Sequence, residues 1–143
     1  MGPRLVAPRY YVDEDVQALG KLLGQVKIDV TYVGDPGRVH NRRERPACDL
    51  VHRSDLDEDW IPRVAASGML IITRDSQIHA HTRLLTVVRD SGARMVALAG
   101  KDAGTPFEQL RTVLAHWDAI EALPTTGPFI YSVTRTTFRE VPL

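Results

Sequence analysis

Residues 69–75 read Met-Leu-Ile-Ile-Thr-Arg-Asp. The apolar residues follow one another without polar alternation, so neither face of the segment suits water. A strand of that kind is buried on both faces, and a sheet covered on both faces is a parallel sheet flanked by helices. The rest of the chain repeats the theme. Residues 9–13, 29–34 and 94–100 also read as strands. Between them the apolar spacing becomes helical: Val16, Leu19, Leu23 and Val26 share one face, residues 55–68 form a helix, and residues 77–91 carry Ile78, Leu84, Leu85 and Val88. Gly20 and Gly24 weaken a helix, which implies close packing against the sheet. Pro62 lacks an N–H and is expected near its helix start, with Asp57, Glu58 or Asp59 at or beside the cap. Thr105-Pro106-Phe107-Glu108 has the form of a capping box, with Thr105 as cap and Glu108 reaching back. Leu110, Val113, Leu114, Trp117 and Ile120 then mark one apolar face. Residues 128–141 are β-branched and aromatic and read as one or two terminal strands. The expected fold is α/β with a mostly parallel central sheet. It forms a single domain over residues 1–143, with a core at about 9–123 and a C-terminal β extension at 124–143.

Composition narrows the function by exclusion. Lys+Arg and Asp+Glu number 18 each, so net charge points to no partner and only local clusters inform. The lone cysteine, Cys48, excludes an intrachain disulfide and fits a reducing cytoplasm. No apolar run approaches the roughly 20 residues that span a bilayer, and the first residues lack an apolar signal core. Cys48 has no paired histidine motif. Trp60 and Trp117 suit a core or an interface better than a base-stacking platform. His79 and His81, two apart, do not share a helix face, which argues against a metal pair. No glycine-rich nucleotide loop is present.

The acids are more informative. In an open α/β sheet, ligands bind beyond the carboxyl ends of the strands. One strand ends in Asp13-Glu14-Asp15 and another in Arg74-Asp75. The helix that begins at Asp57, Glu58 and Asp59 precedes the second strand and starts at the same edge. These acids are expected to converge there. Converged carboxylates either share protons or bind a cation, and hard oxygen donors suit Mg²⁺ or Mn²⁺. Such a site activates water and stabilises charge on a phosphoryl oxygen. Residues 35–46 form a basic loop with Arg38, His40, Arg42, Arg43 and Arg45. It would attract a phosphate backbone or an acidic partner segment, or simply be solvated.

Taken in order, "VDEDVQALGKLL", "DEDWIPRVAASG" and "MLIITRD" resemble a PIN-like domain, more narrowly the VapC-type toxin ribonucleases, over roughly residues 9–100. The resemblance implies a three-layer α/β/α fold and a metal-dependent endoribonuclease, the toxin of a type II toxin–antitoxin pair. It implies RNA as substrate, an antitoxin as partner, a possible homodimer, and Mg²⁺ or Mn²⁺ as cofactor in the cytoplasm. Matched residue by residue, Asp13, Asp15, Asp57 and Asp75 are the catalytic acids. Asp13, Asp57, Asp59 and Asp75 are the metal ligands, with Asp59 standing in for Asp57 if the register differs. Arg38, Arg42, Arg43 and Arg74 are candidates for substrate binding. Relatives often carry a further acid where this chain has Gln77, which bears on a second metal. Two other readings fit the residues: a haloacid-dehalogenase-like phosphatase with Asp13 as nucleophile, and a non-catalytic binding module.

Overall fold

Strand alternation sorts the core before any helix is placed. In β2 (Tyr10–Val12), Tyr10 and Val12 point to one face and Tyr11 to the other. In β6 (Leu70–Arg74) and β7 (Arg94–Leu98) the same division puts Leu70, Ile72, Val96 and Leu98 on the first face, with Ile71, Met95 and Ala97 on the second. All are buried, as an apolar run without alternation requires. The computed structural model describes residues 2–74 and 82–143. In it these strands join a six-stranded sheet, ordered β3 (Val30–Tyr32), β2, β6, β7, β8 (Phe129–Val133) and β9 (Phe138–Glu140). Neighbours are parallel except β8 and β9, which are antiparallel.

Helices cover both faces, giving three α/β/α layers. α1 (Gln17–Val26), α4 (Pro106–Ala115) and α5 (Trp117–Glu121) pack on the Tyr10 face. α2 (Asp57–Ala66) and α3 (Thr82–Ser91) pack on the Tyr11 face. The β6-to-β7 and β7-to-β8 crossovers step the same way across the sheet but over opposite faces, so their hands are opposite. Such crossovers are nearly always right-handed, so one of these two has the uncommon hand. Gly20 lets α1 approach: a Cβ there would stand 2.9 Å from the Cβ of Tyr32 and 3.2 Å from that of Val12. Val16, Leu19 and Leu23 are buried as the spacing predicts, whereas Val26 is 78% exposed at the last turn.

Three expectations change. Pro62 lies inside α2, beyond its first turn, whereas Asp57 stands beside the cap residue Leu56 as expected. Only half of the capping box forms. Thr105 accepts from the Glu108 N–H at 3.2 Å, while the Glu108 carboxylate turns to Arg111. The basic segment is a hairpin, not a loop. β4 (Arg38–His40) and β5 (Arg43–Arg45) flank a turn in which Asn41 and Arg42 have φ of 50° and 61°, the left-handed pair that a tight hairpin needs. β1 (Arg4–Leu5) joins β5 in parallel to complete a separate three-stranded sheet. The anchor is Arg45, 3% exposed, with Nε 2.7 Å from Asp35 Oδ2 and Nη2 3.1 Å from Asp35 Oδ1. Its Nη1 donates to the carbonyl of Gly24, and Thr31 donates its hydroxyl to Asp35.

β8 stands inside the main sheet, with Ile130 and Val133 fully buried. Among the described residues, no helix is long and apolar enough to cross a membrane.

Candidate active site

The site forms where the chain reverses its direction of travel across the sheet. From β2 it passes through α1 to β3 on one side, then returns through α2 to β6 on the other. Between β2 and β6 the flanking segments diverge at the carboxyl ends and leave a crevice. Val12 pairs with Ile72, and the Asp13 N–H continues the ladder to the Ile72 carbonyl at 2.9 Å. Asp13 therefore falls beside Thr73. The Thr73 hydroxyl lies 2.9 Å from Asp13 Oδ2 and 3.3 Å from Asp15 Oδ1. The other Asp13 oxygen accepts the Glu14 N–H at 2.7 Å, so Asp13 also caps the short 3-10 turn Glu14–Val16 that leads into α1. The three consecutive acids thus start a helix, where negative charge is favoured, and build a site with the same residues.

A hydroxyl carries one hydrogen. Thr73 can donate to Asp13 or to Asp15, not to both. The second contact needs a proton on a carboxyl group or a cation between the acids. Asp13 feels this strongly: burial, then the charge of Asp15, push its carboxyl up to about 7, against the opposing hydrogen bonds from Thr73 and Glu14. Asp15 is also raised, by burial first, and the hydrogen bond from Thr73 and the charge of Arg74 pull it down. Asp57 adds its charge to both.

Asp57 arrives from the first turn of α2. Its Oδ1 accepts the indole N–H of Trp60 at 3.0 Å, and Trp60 packs against Tyr11, ring centroids 5.3 Å apart. Tyr11 sits two residues before Asp13 on the same face, so one aromatic stack supports both acids from below. The cleft above has a volume of about 420 Å³ and is lined by Asp13, Asp15, Asp57, Trp60, Thr73 and Arg74, among others. Arg74 Nη1 reaches the Ala103 carbonyl at 3.4 Å. Asp55 also lines the cleft, but its Oδ2 is held by the His52 N–H and by Arg63.

A family model described as a PIN-like domain matches residues 8–100. The chain belongs to this family. No curated protein and no solved structure matches it. PIN-like domains are generally nucleases, and the matched span contains the whole of the cleft lining.

In this PIN-like domain Asp13, Asp15, Asp57 and Arg74 come together, and Asp59 does not. It is exposed on α2 and absent from the cleft lining, because the two steps from Asp57 turn a helical side chain by more than half a turn. Asp75, Gln77, His79 and His81 lie outside the described residues. Arg38, Arg42 and Arg43 sit on the hairpin, not at the cleft. Arg38 donates to Gln25 near the end of α1, whereas the acids stand at its start, about 15 Å away along the helix. Asp102, an acid in the 3-10 turn Gly100–Ala103 after β7, accepts the Arg135 N–H at 3.0 Å and does not line the cleft. Sequence pattern did not place Thr73 or Trp60 in the site. The register of "YYVDED" against "LIITRD" is the signal that finds Thr73. Trp60, three residues after Asp57, is the signal for the second.

The donor set suits a hard divalent cation. Among the described residues no three His, Cys, Asp or Glu side chains gather into a metal-binding group. Mg²⁺, however, keeps most of its waters and binds through one or two carboxylates plus substrate phosphates. Asp13 and Asp15, crowded on one hydroxyl, are a pair of that kind.

Proposed function

We propose that this chain is a metal-dependent endoribonuclease, acting in the cytoplasm as the toxin of a toxin–antitoxin pair. The observation that carries the nuclease reading is the Asp13–Thr73–Asp15 cluster at the strand crossover, with Asp57 across the cleft. Family membership supports the reaction class. The toxin role, an antitoxin partner and a homodimer rest on the resemblance of the three motifs.

Asp13 and Asp15 would hold Mg²⁺ or Mn²⁺, with Asp57, and Asp75 beyond the described residues, as further ligands. A cation bound there supplies Lewis acidity toward a phosphoryl oxygen and toward water. The residues of the chain do the rest. Thr73 fixes Asp13 Oδ2, and the Glu14 N–H fixes Oδ1. With both its oxygens engaged, Asp13 is better suited to ligation or proton transfer than to covalent attack on phosphorus. Trp60 orients Asp57. Arg74, on the cleft lining, offers positive charge to a phosphate.

The test is cleavage of a mixed RNA pool with Mn²⁺, with Mg²⁺ and with chelator, alongside thermal melting with and without Mn²⁺. The expected result is metal-dependent cleavage and an upward melting shift. Protein that shows neither refutes the assignment. For the toxin role, expression should arrest growth, and the neighbouring gene product should relieve it by forming a complex.

A further inference from the structure

The basic hairpin lies far from the acids, and chemistry confined to the cleft leaves it without a task. Its pairing register gives it a one-sided character. His40 faces Arg43, Arg38 faces Arg45, and Arg4 faces Arg43, so all five share one face of the three-stranded sheet. Leu5, Val39 and Glu44 take the other face. Arg45 is consumed by Asp35. Arg4 and Arg43 make no ion pair among the described residues.

α1 connects this face to the cleft. Gln17, Lys21 and Gln25 are four apart and form one row along the helix, spanning about 12 Å. At the hairpin end, Arg38 Nη1 donates to Gln25 at 2.7 Å. At the cleft end, Arg53 Nη1 bridges Gln17 at 3.2 Å and Glu14, a cleft residue, at 3.3 Å. α1 carries no acidic residue, and Lys21 is its one charge. The positive line therefore runs Arg53, Lys21, Arg38, Arg43 and Arg4, and Glu14 pairs with Arg53 at its cleft end.

We infer that this line is a track for a phosphate backbone, along which a single RNA strand runs from the cleft to the hairpin. The inference rests on the reading of the cleft as a nuclease site and specifies its substrate: a strand long enough to reach the hairpin, held by its backbone and without base readout. Arg53, Lys21 and Arg4 are exposed and Arg38 and Arg43 half-buried, and a row of cations of this kind suits repeated phosphates and neutralises several at once.

The experiment measures binding of a fluorescein-labelled single-stranded RNA of mixed sequence by anisotropy, in EDTA, over a range of NaCl. The proteins are wild type, Lys21→Glu/Arg43→Glu, the milder Lys21→Gln/Arg43→Gln, and Arg89→Glu on α3, in the opposite layer. Thermal melting checks that each is folded. The charge-reversed pair should weaken binding by tenfold or more, and the neutral pair by less in the same direction. The logarithmic salt slope should fall by about 0.7 for each phosphate that the variant no longer neutralises. Arg89→Glu should bind as wild type does. Unchanged RNA affinity in both folded double variants overturns the track, as does loss confined to an acidic peptide probe. Hydrolysis of bis(p-nitrophenyl) phosphate by wild type with Mn²⁺ reads the cleft separately. Hydrolysis with track-independent RNA binding refutes the track alone. Track-dependent binding without hydrolysis refutes the cleft reading and leaves the track standing.

Discussion

Trp60 donates its indole N–H to Oδ1 of Asp57 across 3.0 Å, within one turn of α2. Asp57 is solvent-exposed and would otherwise sample several rotamers, so this bond sets where its charge faces the cleft. Trp60→Phe keeps an aromatic ring against Tyr11 and removes the donor. Water can replace the bond at an exposed carboxylate, so the loss of stability should stay below about 2 kcal/mol. Affinity for Mn²⁺ should fall by about 10- to 100-fold, the usual effect of losing a group that orients a ligand. Calorimetric titration with Mn²⁺ checks this, and unchanged affinity would show that Asp57 needs no orienting.

Thr73 offers a second contrast. Thr73→Ser preserves the hydroxyl, and Thr73→Val preserves the shape. Serine should retain metal-dependent cleavage within a few fold. Valine leaves Asp13 Oδ2 without its donor and should lose at least about tenfold in kcat/KM, or about 1.4 kcal/mol. Equal activities for the two variants would remove Thr73 from the site.

The metal-free protein should lose stability as pH rises. Folded, the Asp13 carboxyl keeps its proton up to about pH 7, against 3.8 for an ordinary aspartate. Below about pH 4 both states are protonated and there is no penalty. Between about 4 and 7 the unfolded chain releases the proton first, so unfolding is favoured progressively, and above about 7 the loss is complete. Melting in chelator should therefore show Tm falling from about pH 5 to about pH 8. Asp13→Asn should flatten that slope and melt higher than wild type at the alkaline end. A wild-type slope shared by the variant would assign the effect to other groups.

The Arg45–Asp35 pair is predicted to matter for folding alone. Both side chains are almost wholly buried, and removing one partner strands the other charge. Arg45→Met should cost about 3–5 kcal/mol. At a temperature where the variant is still folded, its Mn²⁺ affinity should match wild type. Urea unfolding and Mn²⁺ titration together test the separation, and a cost under about 1 kcal/mol would contradict it.

Sequence reasoning reached the site where local pattern and sheet geometry agree. The unbroken apolar run in β6 required burial on both faces, and a parallel sheet then brought its end beside that of β2. Gly20 revealed the approach of α1 because only a missing Cβ fits 2.9 Å from Tyr32. The hairpin was illegible because β4 and β5 bury almost nothing apolar. They are held instead by one ion pair, Arg45 with Asp35, whose partners are ten residues apart and share no pattern. Thr73 was hidden for a related reason: its role depends on pairing between strands 60 residues apart, and no single segment reveals a register.

The pairing of β7 with β8 has a practical consequence. The residues matched to the family end at 100, whereas β8 begins at Phe129 and bonds to β7 along its whole length, from Arg94 to Leu98. A chain cut at the end of the match would keep every acid of the cleft and lose this neighbour. The N–H and C=O groups of β7 would become an open edge, and Val96 and Leu98 would lose the cover that α4, α5 and β8 provide. Such an edge is a template for other chains. The shortened protein should aggregate, and its lack of activity would then say nothing about the chemistry of the acids.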